Sequence, residues 1–171
     1  MTLSMYQASI PAFQRMLTNL SAILDKAAAY AAERKIDPSV LLQSRLFPDM
    51  FPLVRQIQLT ADFAKGAAAR LAGVEPPKFE DNETTIDALK ARLAKTADYL
   101  KGFKPAQIDG QEERVITIPI GGNSMSFKGQ PYLLHFALPN FHFHAATAYD
   151  ILRHCGVPLG KRDFLGAVDS N

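Results

Sequence analysis

The sequence predicts an all-α fold, a four-helix bundle with a small β-hairpin inserted between helices three and four. Three observations lead to it. Four stretches repeat apolar residues at steps of three and four, the spacing of one helical face. Turn and Pro-rich connectors separate them, as in helical bundles. Between the third and fourth stretches the period changes, and β-branched residues alternate around Gly121-Gly122-Asn123-Ser124.

The first helix is expected over residues 4–33. Tyr6, Ile10, Phe13, Leu17, Leu20, Leu24, Ala27 and Ala31 form its stripe, and Ser4 and Gln7 have capping-box spacing. Asp37-Pro38 opens a short second piece, with Asp as N-cap and Pro at the first helical position, ending before Phe47-Pro48. Asp49 is placed to cap the second long helix, with Pro52 in its first turn. Its stripe is Val54, Ile57, Ala61, Ala64, Ala68 and Leu71, and Gly73 ends it. Glu75-Pro76-Pro77-Lys78 is a rigid connector. Asn82 or Thr84 caps the third long helix, whose stripe is Ile86, Leu89, Leu93, Ala97, Leu100 and Phe103, while Lys90, Arg92 and Lys95 read as its solvated face.

Val115–Ile120 and Met125–Phe127 form the hairpin, with Pro119 on an edge because it cannot donate a ladder bond. Two strands alone are marginal in water, so the hairpin must pack on the helices. The last helix covers 131–156, with a kink or break near Leu138 imposed by Pro139. Gly156 and Pro158 stop it. The tail from Leu159 to Asn171 reads as polar loop, with Gly160-Lys161-Arg162-Asp163-Phe164 anchoring it to the bundle.

Length and composition fit one domain over residues 1–171. Apolar residues make up 47% and charged residues 21%, a globular balance and not a disordered one. The net charge of +2 leaves no basic stripe for nucleic acid. No apolar run is long enough for a membrane span. One cysteine, Cys155, excludes an internal disulfide and a Cys-based zinc cage, and reads as a small buried apolar residue. Met1-Thr2-Leu3-Ser4-Met5 shows neither a basic region nor an apolar core of a secretory signal, so a cytoplasmic setting is expected.

Chemistry concentrates in the last helix. His135, His142, His144 and His154 are the four histidines. His142 and His144 differ by about 200° around a helix, and His135 lies about 10.5 Å along the axis from His142. Neither pair can clasp one ion at bonding distance, which leaves His144 and His142 as weak metal candidates. The i, i+4 geometry of a helical ligand pair is met by Asn140 and His144, and an amide is a poor ligand for transition metals. On the second long helix Arg55, Gln58 and Asp62 share one face. They read either as a solvated edge with an Arg–Asp interaction or as the wall of a polar pocket facing His144. Gly121-Gly122-Asn123-Ser124 is not a phosphate loop, because no Lys-Ser/Thr follows it and its context is strand–turn–strand.

The stretch Pro139-Asn140-Phe141-His142-Phe143-His144, followed by Ala148-Tyr149-Asp150-Ile151-Leu152-Arg153-His154-Cys155-Gly156-Val157-Pro158-Leu159-Gly160-Lys161-Arg162-Asp163-Phe164-Leu165-Gly166, resembles the closing block of bacterial domain-of-unknown-function family nineteen ninety-three. Met5-Tyr6-Gln7-Ala8-Ser9 and Pro11-Ala12-Phe13 are similar to its start. The resemblance spans nearly the whole chain and implies the DinB/YfiT-like superfamily. Members are four-helix bundles, and many are dimers that hold a divalent metal, zinc or nickel, through three histidines. One histidine stands on helix two and two stand at i, i+4 on the last helix; known members include thiol-dependent transferases and hydrolases. Set against that pattern, the last-helix pair falls at Asn140 and His144, and the helix-two position falls near Gln58–Leu59. One ligand of three remains.

Two readings follow. In the first, the bundle carries a degenerate metal site, self-associates, and binds a small molecule or partner through a pocket of Gln58, Asn140, His144, Arg55 and Asp62. In the second, it is a metal- or His-dependent transferase or hydrolase in which His144 is the general base or lone metal anchor. Asn140 and Gln58 would orient substrate there, and Arg55 or Arg162 would hold an anion. Convergence of Gln58, Asn140 and His144 on one concave pocket would favour the second. Phe47, Phe51, Phe141 and Phe143 are left to cover the bundle end or to build a dimer face, since Phe141 and Phe143 flank His142 and cannot all point inward.

Overall fold

The structure is a computed structural model and describes residues 3–167; Met1, Thr2 and the end of the expected tail, 168–171, lie outside the described residues. Helix α1 runs Met5–Arg34 and is capped as its sequence dictates. The Gln7 N–H donates to Ser4 Oγ and the Ser4 N–H to Gln7 Oε1, each at 3.2 Å. Its stripe from Ile10 to Ala31 is buried, with Tyr6 half-buried at the edge. Lys35, at φ 56°, ends it in the left-handed conformation.

Helix α2, Pro38–Gln43, starts from Asp37, whose carboxylate accepts the Ser39 N–H at 2.9 Å. Helix α3, Leu53–Leu71, departs from expectation at its start. Asp49 sits in a turn closed by the Met50 N–H on the Phe47 carbonyl, and Pro52 occupies the cap position with no side-chain bond. Helix α4, Ile86–Lys101, is capped by Thr85, not by Asn82 or Thr84. The Thr85 hydroxyl accepts the Ala88 N–H at 3.1 Å, while Asn82 donates to Glu80. A single turn, α5 (Pro105–Ile108), leads to the hairpin.

Strands β1 (Val115–Ile120) and β2 (Asn123–Lys128) pair antiparallel, Val115 opposite Lys128 and Ile118 opposite Met125. Gly121 and Gly122 both have positive φ, 56° and 84°, as a tight two-residue hairpin turn requires. Ile116 and Ile118 are buried on one face; on the other, the Thr117 and Ser126 hydroxyls meet at 2.8 Å.

A continuous helical rod then runs through α6 (Gly129–Pro131), a π-helical segment (Tyr132–Ala137) and α7 (Leu138–His154). The π segment is how the chain accommodates Pro139. Proline lacks an N–H and its ring clashes with the carbonyl four residues back. Widening the turn ahead of it, with the Leu138 N–H reaching the Leu133 carbonyl, relieves the clash without breaking the rod. The tail expected as loop contains a short helix, α8 (Lys161–Leu165), docked on α1. Lys26 pairs with Asp163 at 2.7 Å, Asn19 Nδ2 donates to the Phe164 carbonyl, and Arg15 donates to the carbonyls of Leu165 and Ala167. The anchoring role expected of Gly160–Phe164 is therefore met.

The chain is mostly helical with one two-stranded sheet. Helix α1 packs on α4, α4 on α3, α3 on α7, and α7 back on α1, around one shared core. Helices α3 and α7 pack on each other, and both bury small residues. Ala61, Ala64, Ala67 and Ala68 on α3 and Ala145 and Ala148 on α7 are all fully buried, and side chains this small allow close helix packing. On the α1–α7 side, the Phe13 and Phe141 rings meet edge-on at 4.6 Å. None of the described helices is long and apolar enough to cross a membrane.

Candidate functional site

One edge of α3 carries Arg55, Gln58 and Asp62 on a single face, as their spacing requires, but they do not form a solvated Arg–Asp edge. The connector between α3 and α4 folds back over them. Arg55 donates to Gln58 Oε1 at 3.3 Å and pairs with Asp81. Gln58 Nε2 donates to Glu83 Oε2 at 2.8 Å. Asp62 takes Lys65 at 2.7 Å and Arg92 at 2.8 Å.

Arg92 is the centre of this network and the largest departure from the sequence reading, which put it on a solvated face. Its side chain is 2% exposed, paired with Asp62, Asp81 and Glu83 at 2.8–2.9 Å, and also donates to the Glu80 carbonyl. Three carboxylates make burial of the guanidinium tolerable. Burial would raise the Glu83 carboxyl, but hydrogen bonds from Arg92 and Gln58 outweigh it and hold the group below its ordinary range. The Phe79 ring is flanked by three cations, Lys95 at 4.1 Å, Lys65 at 4.9 Å and Arg92 at 5.6 Å, which pins the connector down.

His144 lies across from this edge on α7, 8% exposed. Its Nδ1 is 2.8 Å from Gln56 Oε1. Gln56 Nε2 donates to the Phe51 carbonyl, so the amide oxygen faces the ring and Nδ1 carries the proton. The imidazole stacks on Phe63, centroids 5.5 Å apart. Burial, with the positive charge of Arg55 added, lowers its pKa to about 4, so it is neutral at physiological pH.

The three residues expected to converge do not share a hydrogen-bond network. Gln58 is turned to Glu83, and Asn140 Nδ2 donates to the Phe136 carbonyl of its own helix at 2.7 Å. Only His144 is held across the α3–α7 contact, by Gln56, which the sequence reading missed. Its signal was present: an amide at the core position between Leu53 and Thr60, one step from Ile57. His142 points to the opposite side and is exposed, as are His135 and His154. Cys155 is half-buried, not fully buried. Of the four phenylalanines left unassigned, Phe141 is buried, while Phe47, Phe51 and Phe143 are exposed.

Among the described residues no group of three or more His, Cys, Asp or Glu side chains is placed to hold a metal ion. The donors at the positions that the resemblance implies, Gln58, Asn140 and His144, are one imidazole and two amides. That set does not fit zinc or nickel, which need imidazole, thiolate or carboxylate ligands. A separate groove runs along α3, about 220 Å³ in volume, lined by Leu59, Phe63 and Phe136, by Ile118 and Pro119 of β1, and by Asp62 and Arg70, and its lining includes none of Gln58, Asn140 or His144.

Comparison with known proteins bears on the fold and the family. A solved structure of a DinB family member protein from Shewanella denitrificans superposes with a TM-score of 0.87 at 42% identity, over 97% of this chain and 94% of that one. No curated protein matches the sequence. The model of a domain of unknown function, DUF1993, matches residues 5–165. The chain belongs to the DUF1993 family, and its fold is that of a DinB family member.

Proposed function

We propose that this protein is a DinB-type four-helix bundle with a degenerate metal site that works as a small-molecule binding module. The observation that carries the reading is the His144–Gln56 pair. The imidazole left at the metal position is committed through Nδ1 to an amide of α3, and its other superfamily partners are replaced by side chains engaged elsewhere. The alternative, a His-dependent transferase or hydrolase, is favoured by one feature: His144 Nε2 is a free lone pair near the positive charge of Arg55. At a pKa of about 4 it is a weak base for proton abstraction at neutral pH.

The test is elemental analysis of protein purified without an affinity tag, before and after incubation with zinc and nickel, beside a His144→Ala variant. Sub-stoichiometric metal, unchanged in the variant, is the expected result. Near-stoichiometric metal lost on His144→Ala overturns the reading and directs attention to thiol-transfer assays.

A further inference from the structure

Arg70 stands out among the cations along α3. Arg55 and Lys65 on α3 each pair with a carboxylate, as does Arg92 on α4, but Arg70 has no carboxylate partner among the described residues. Its one side-chain hydrogen bond is to the Tyr132 hydroxyl, at 3.3 Å. The guanidinium lies back against α3 over Gly66, where any Cβ would collide with Nη1. Glycine at that position, costly inside a helix, gives the guanidinium its seat. Tyr132 opens the π-helical segment, and Phe136, one turn on, stacks on it with centroids 5.9 Å apart. The segment that relieves Pro139 thus both orients Arg70 and supplies a wall of the groove.

Asp62, the acid at the groove edge, is already neutralised by Arg92 and Lys65. The groove therefore combines an apolar body with one uncompensated cation at its rim. We propose that it binds a small monocarboxylate with a compact apolar or aromatic body. The carboxylate sits on the Arg70 guanidinium as a charge-assisted, two-pronged pair, and the body lies between Phe63, Phe136 and Ile118. A volume of about 220 Å³ is below the span of drug-sized sites, which suits a ligand of one ring and a short chain. The inference deepens the small-molecule reading above and rests on it.

The test uses hydrocinnamate as probe, followed by calorimetry and by amide chemical-shift mapping on the full chain. Hydrocinnamyl alcohol, with the same body and no charge, and acetate, with the charge and no body, are the controls. Arg70→Gln removes the cation; Gly66→Ala keeps it and displaces it. The expected result is saturable binding with shifts at Ile118, Arg70 and Phe136, weakened roughly tenfold or more by either variant and by the alcohol, and undetectable for acetate. Circular dichroism identifies any variant that fails to fold, and the alcohol control on wild type does not depend on variants. Absence of hydrocinnamate binding, equal affinity for the alcohol, or shifts confined to the His144 end of the bundle would each overturn the proposal. The last result leaves the small-molecule reading standing, whereas metal uptake at His144 removes that reading and is measured separately from any hydrocinnamate binding.

Discussion

His144 Nδ1 and Gln56 Oε1 stand 2.8 Å apart across the α3–α7 contact, and the second hydrogen bond of the Gln56 amide, to Phe51, fixes which ring nitrogen carries the proton. The pair therefore behaves as a structural hydrogen bond with one imidazole nitrogen left over. Because the folded pKa is about 4 and the unfolded value is near 6.5, the unfolded chain binds the proton first as pH falls. The stabilisation is fully present above about 6.5 and is lost progressively as pH falls through the folded pKa, by about 3 kcal/mol at most. Urea unfolding at a series of pH values reads that loss, and imidazole ¹⁵N shifts should show the Nδ1–H tautomer persisting at pH 6. A midpoint for His144 near 6.5 would refute the assignment. Gln56→Leu should leave a buried N–H unpaired and cost about 1–3 kcal/mol.

Arg92 gives a second prediction. Arg92→Met keeps much of the volume but leaves Asp62, Asp81 and Glu83 each with one partner, Lys65, Arg55 and Gln58, around an apolar side chain. Removing one partner of a buried ion cluster costs about 3–5 kcal/mol. Asp62 and Asp81 are partly exposed, 29% and 40%, so solvent relieves some of that and about 2–3 kcal/mol is expected. Arg92→Lys should recover only part of it, since a single ammonium cannot replace the two guanidinium nitrogens that reach the three carboxylates. Denaturant midpoints for the two variants check this, and equal midpoints for Met and wild type would show that the network contributes nothing net.

These two residues also mark how far the sequence could be read. The Ser4–Gln7 cap, the Asp37-Pro38 start and the Gly121-Gly122 hairpin turn are decided by neighbours within a few positions, and the structure has all three. Arg92 is decided by the connector that wraps α3 and α4, and no helical period reports that wrap. The sequence reading put it on the solvated face of α4, so neither its burial nor its partners were legible there. Gln56 is similar, a polar residue inside an apolar stripe whose partner lies 88 positions away. Pro139 announced a disturbance, but whether a helix kinks, breaks or widens into a π turn depends on what packs against it. The five residues of α8 are too few for any periodicity to show.

The docking of α8 on α1 rests on a backbone position only glycine takes comfortably. Gly166 has φ 70° and ψ −171°, and a Cβ there would collide with the Asn19 side chain, which donates to the Phe164 carbonyl. Gly166→Ala should cost about 1–3 kcal/mol locally. Because a short terminal helix can undock alone, the global melting temperature should fall less than this implies. Faster amide exchange across Lys161–Leu165, with exchange in α3 unchanged, is the expected signature. Protection of α8 equal to wild type would show that the contact is dispensable.

The contact between α1 and α7 depends on the Phe13–Phe141 pair, both rings fully buried and edge-on at 4.6 Å and 62°. Phe13→Leu and Phe141→Leu each remove part of a ring from a close-packed core and should each cost about 1–3 kcal/mol. The quadrupoles of edge-on rings contribute beyond area alone, about 0.5–1.5 kcal/mol, and that part is lost with either substitution. The double variant should therefore be less destabilised than the sum of the singles by about that amount, which a double-mutant cycle of urea midpoints measures directly. Strict additivity would mean that the pair acts as two independent apolar volumes.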